Sequence, residues 1–90
     1  MIEDENAHAE EKVKIYPNPS TGLFTLEVPF DGDNIDVVVT DLHGKVIERR
    51  ALEKNWVPTH KFDFSNLAKG VYLILVSTEH QTFKEKLFIQ

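Results

Sequence analysis

An all-β fold, an antiparallel β-sandwich of about seven short strands, is what this 90-residue sequence predicts, on three observations. Apolar and polar residues alternate in short runs, turn-forming residues punctuate the chain about every ten positions, and no stretch keeps a helical period. A chain this short holds one modest hydrophobic core.

Val13 to Tyr16 reads as a short strand stopped by Pro17, which fixes φ and has no amide donor. In Leu23 to Val28, Phe24, Leu26 and Val28 share one face while Thr25 and Glu27 share the other, and Pro29 ends the run. Asp31-Gly32-Asp33-Asn34 is a cluster of turn formers leading into Ile35 to Leu42, β-branched enough for a central strand. Asp41-Leu42-His43-Gly44 puts Asp first and Gly fourth, the order of a type I turn, so a hairpin into Lys45 to Leu52 is expected. Phe62 and Phe64 flank Asp63 and mark an edge-type strand after Pro58. The connection Ser65 to Gly70 leads into Val71 to Ser77, apolar on both faces and therefore expected to be covered on both as the main core strand. Glu79-His80-Gln81 then turns the chain into Thr82 to Ile89, where Phe83, Glu85, Leu87 and Ile89 face one way and Lys84, Lys86 and Phe88 the other. Strand number and spacing suit an immunoglobulin-like sandwich without the Cys-Trp-Cys pattern of antibody domains. Trp56, in a polar stretch, reads as a partly exposed cap.

Residues 1 to 12 are polar and without period, so they read as an acidic flexible tail or linker preceding a domain over residues 13 to 90. Five carboxylates against Lys12 give that tail −4 of the chain's −5, leaving a near-neutral body. Such a body has no basic patch to displace counterions from nucleic acid, and the acidic balance disfavours an anionic membrane. The longest apolar run, Val71 to Val76, is far short of the roughly 20 residues that span a bilayer, so direct membrane insertion is not expected. There is no cysteine to form a disulfide or thiolate site. Met1-Ile2-Glu3-Asp4-Glu5 has neither the basic start nor the apolar stretch of a signal peptide, so an exported protein would carry one upstream of this chain.

Residues able to do chemistry are present but not arranged for it. His8, His43, His60 and His80 sit in the tail, in turns or at a polar strand edge, and no spacing pairs them with a nucleophile. Asp31, Asp33, Asn34 and Asp36 offer hard oxygen ligands, but the run is too short for a calcium loop and is better read as a hairpin connection. Trp56 and Tyr16 are candidates for stacking on sugar, a role that core or rim packing explains equally well. No catalytic, metal or cofactor site is therefore assigned.

Four segments, in order, carry a family resemblance: Tyr16-Pro17-Asn18-Pro19-Ser20-Thr21-Gly22-Leu23-Phe24; Val39 to Val46, with Asp41, Gly44 and Lys45; Leu67 to Val76, with Gly70 and Tyr72; and Lys86-Leu87-Phe88-Ile89-Gln90. Together they resemble the C-terminal sorting domain, type A, of the type IX secretion system of Bacteroidetes, with Phe88 a mild departure where a β-branched residue is commoner. Each motif residue also has a structural account. Pro17, Asn18 and Pro19 make a stiff turn, Gly22 permits positive φ, Gly44 and Gly70 close turns where a Cβ would clash, and Tyr72 is core with its hydroxyl at the rim.

The resemblance implies a non-enzymatic secretion signal without cofactor, read by the translocon and shuttle components to carry an N-terminal cargo domain from periplasm to outer-membrane surface. A sortase-like cysteine protease would then remove the domain, with surface attachment of the cargo. Cleavage is expected around Glu10, Glu11 and Lys12, at or before Lys12. Recognition is expected first at the terminal strand, Lys84 to Gln90, as an edge open to β-augmentation, and second at Asp41 to Lys45. Lys84 and Lys86 also suit guarding that edge against aggregation, while an edge strand leaves room for weak self-association. The rival reading is an immunoglobulin- or fibronectin-like accessory module, a spacer or sugar binder on an extracellular enzyme. A sorting domain would end its polypeptide, as Gln90 is expected to do.

Overall fold

Seven strands and no helix form among the residues that the computed structural model describes, 13–28, 33–54 and 58–90. They are β1 (Lys14–Tyr16), β2 (Leu23–Glu27), β3 (Asp33–Asp41), β4 (Val46–Lys54), β5 (Thr59–Asp63), β6 (Gly70–Ser77) and β7 (Thr82–Ile89). The acidic tail with Glu10, Glu11 and Lys12, the start of the Asp31 turn and Trp56 lie outside the described residues.

All strand pairs are antiparallel and make two sheets, β1-β2-β5 and β4-β3-β6-β7, which the apolar faces of the strands hold together as a sandwich. Alternation decides which face is buried. On β2, Phe24 and Leu26 point inward; on β3, Ile35, Val37 and Val39 do; on β6, Tyr72, Ile74 and Val76; on β7, Leu87 and Ile89. Each such side chain stabilises the fold by roughly 1.5–3 kcal/mol relative to exposure. Register then sorts the aromatics. Phe24 pairs with Phe62, the rings stack at 5.2 Å, and Phe64 meets both edge-on at 5.6 and 5.7 Å. The Arg50 guanidinium, from the other sheet, lies 3.8 Å over the Phe62 ring while bonded to Glu48 at 2.9 Å, and it donates to the Lys61 carbonyl at 3.3 Å. It fastens β4 to β5 across the open side of the sandwich.

One strand carries a bulge and another departs from expectation. On β4 the register jumps between Val39 and Thr40, so Ile47 is the extra residue and turns toward the core while Val46 stays exposed. On β6 only one face is fully covered. Val71, Leu73 and Leu75 are half-buried on the outer face of the four-stranded sheet, against the expectation of cover on both. The three strands of the smaller sheet form a layer on one side only.

Candidate functional site

Each proline of Pro17-Asn18-Pro19 lacks a backbone donor, yet the segment pairs with β7. Asn18 does what a strand residue would. Its side-chain amide donates from Nδ2 to the Lys86 carbonyl at 2.7 Å, and its Oδ1 accepts the Phe88 N–H at 2.9 Å. Ser20 continues the contact, donating its N–H to the Phe88 carbonyl and accepting the Gln90 N–H, both at 2.8 Å, in a parallel bridge. Both proline peptide bonds, Tyr16-Pro17 and Asn18-Pro19, are cis.

This corrects the view of the last strand as open. β7 is the edge of its sheet, but its outward backbone groups from the Lys86 carbonyl to the Gln90 N–H are occupied by Asn18 and Ser20. An added strand could pair there only by displacing them. Sequence reasoning credited Asn18 with a turn and gave Ser20 no separate role; no local signal marks a bond across 68 positions.

The Asp41 turn forms as expected. Oδ1 of Asp41 accepts the N–H groups of His43 at 2.8 Å and Lys45 at 2.9 Å, and its carbonyl accepts the Gly44 N–H at 3.1 Å. The Lys45 N–H leads in holding the Asp41 carboxyl below its ordinary pKa. At Asp63 the Ser65 hydroxyl, at 2.6 Å, and then the Ser65 N–H have the same effect.

A carboxyl whose pKa is lower folded than unfolded stabilises the fold above the unfolded value and loses that contribution as pH falls through the folded one. Thermal stability should therefore be level above about pH 5 and fall below about pH 4, where aspartates begin to protonate. Asp41→Asn should melt lower than the parent at neutral pH. A thermal-midpoint series against pH checks this, since the gap between the two should close as pH falls.

Tyr72 is buried, and its hydroxyl donates to the Ala68 carbonyl at 2.5 Å across the turn before β6. The glycines divide differently from expectation. A Cβ at Gly44 or Gly70 would meet no atom within 4 Å, so neither is required to avoid a clash; at Gly44 the demand comes from φ of 89°. Gly22 is the crowded one, its added Cβ falling 2.7 Å from the Phe64 carbonyl oxygen and the Ser65 Cα.

Strand registers bring most of the motif residues to one end of the sandwich. Ser20 sits beside Ile89, Ile89 beside Gly70, and the Asp41 turn begins where Asp41 pairs with Tyr72 and Tyr72 with Leu87. Pro17, Asn18, Pro19, Gly22, Gly44, Lys45 and Gln90 belong to this end. Leu87 and Ile89 are buried beneath it, whereas Lys86 and Phe88 point outward. Lys84 lies further along β7, level with Leu75.

Among the described residues, no group of three His, Asp or Glu is placed to share a metal ion. A family model described as a secretion system C-terminal sorting domain matches residues 14–90. No curated protein matches the chain.

Proposed function

Since the chain belongs to the family of secretion system C-terminal sorting domains, and is thus a C-terminal secretion signal for the type IX system, we propose that the end of the sandwich built by its four motifs is what the machinery reads. The family is not an enzyme family, its members are exported across the outer membrane, and the accessory-module alternative is not favoured. The observation that carries the proposal is convergence. Segments beginning at Tyr16, Val39, Leu67 and Lys86 meet at one end through strand register and the Asn18 and Ser20 bonds. Such a surface exists only in the folded domain, which suits a signal presented after folding in the periplasm.

On this reading the translocon and shuttle components engage Asn18, the Asp41 to Lys45 turn and the exposed groups of Lys86, Phe88 and Gln90. A sortase-like cysteine protease then separates the domain from its cargo, which is attached at the surface. Cutting at or before Lys12 fits the start of the fold. Val13 is already buried and Lys14–Tyr16 is paired with β2, so a protease acting later would have to extract core backbone.

The test is a fusion of residues 1 to 90 to a periplasmic reporter in a strain with this secretion system. The reporter should reach the cell surface, and mass spectrometry should place the cut at or before Lys12. Retention in the periplasm would overturn the recognition reading, and a new terminus inside Leu23 to Ile89 would overturn the cleavage assignment.

A further inference from the structure

The outer face of the four-stranded sheet carries a pattern of side chains that packing of the core does not require. Register lays its side chains in rows: Lys86, Leu73, Thr40 and Val46 in one, and Lys84, Leu75, Val38 and Arg49 in the next. Leu73, Leu75 and Val38 form a half-buried apolar strip, continued by Val71 and by Phe88, which is 40% exposed. Lysines border one side and Arg49 the other. Among the described residues none of these three cations is paired with a carboxylate, and Asp36 enters only in the row beyond, with Ser77 and Thr82. In a chain of net charge −5, this face is cationic at both margins and apolar between them.

We propose that this face is a docking surface for a protein subunit of the secretion machinery that presents an apolar stripe bordered by carboxylates. The proposal rests on the secretion reading and names a second contact, which adjoins the motif end at Lys86 and Phe88 and extends from it over Leu75, Val38, Lys84 and Arg49. Charge complementarity selects the occupant. A second copy laid face to face would set basic margins against basic margins in either direction. The chain's own residues 1 to 12 supply carboxylates but almost no large apolar side chain to cover Leu73 and Leu75. A lipid surface is the poorer fit because an anionic headgroup layer would repel a chain of net charge −5. An apolar strip crossing neighbouring strands suits a sheet or helix laid along it.

The test uses the full chain fused to the exported reporter. Lys84→Glu with Arg49→Glu, both in the row away from the motif end, should leave the thermal midpoint nearly unchanged and lower surface delivery about tenfold, because like charges would now face each other. A photo-crosslinking residue at Leu75 should capture a machinery subunit through a segment rich in Asp or Glu, and a basic substitution in that segment should restore export of the double variant. Equal export of parent and double variant, or capture at Leu75 only of another copy, the cargo or lipid, would overturn the docking proposal while leaving the secretion reading intact. A parent fusion that itself stays in the periplasm would overturn both.

Discussion

Gly22→Ala should destabilise the domain by about 3 kcal/mol, far more than alanine at Gly44. Two costs combine. The residue holds φ at 109°, where a side chain adds roughly 1–2 kcal/mol of strain, and its Cβ would press on backbone atoms of Phe64 and Ser65 at 2.7 Å. Retreat is blocked, because the Gly22 carbonyl accepts the Phe64 N–H at 2.7 Å and the Phe64 ring is held between Phe24 and Phe62. For a domain of this size the loss corresponds to a fall of roughly 12–24 °C in thermal midpoint. Gly44→Ala meets open space and should cost about 1 kcal/mol through its φ alone. Comparative melting of the two variants decides the matter, and a Gly22→Ala midpoint no lower than that of Gly44→Ala would refute the argument.

Deleting Lys86 to Gln90 should abolish cooperative unfolding altogether. The deletion removes Leu87 and Ile89 from the core, takes the partners of Gly70 to Leu73 out of the sheet, and leaves Asn18 and Ser20 without their bonds to β7. Loss of each buried aliphatic costs about 2–5 kcal/mol, against a total stability of about 5–15 kcal/mol for such a domain. Failure of the truncated protein to be exported would therefore report unfolding rather than loss of a recognised sequence. Asn18→Ala separates the two. It removes two hydrogen bonds at the strand edge, costing about 1–3 kcal/mol, and leaves the core intact. Circular dichroism and thermal melts should show a folded Asn18→Ala and a truncation without a sigmoidal transition; a sigmoidal melt from the truncated chain would contradict this account.

Much of the candidate site was legible because its chemistry is local. The Asp41 turn follows from Asp at its first position and Gly at its fourth, and the Oδ1 bonds to His43 and Lys45 span only two and four residues. Tyr72 with its hydroxyl at the rim followed from an apolar strand entered from a turn. The roles of Asn18 and Ser20 did not follow, since their partners lie about seventy positions away. Nor could the glycines be ranked, because crowding at Gly22 comes from Phe64 and Ser65, which only sheet pairing brings near.

By itself the sequence determined the seven strands, their buried faces and most of their turns, because alternation and turn chemistry are written in neighbouring residues. Order and spacing of four motifs also determined the family. Tertiary structure alone decided which strands are neighbours, that Asn18 closes the end of β7, that the motifs share one end, and that one face of β6 lies open between Lys84, Lys86 and Arg49. These follow from the register of strands distant in the chain, which the whole core selects at once and no short segment encodes.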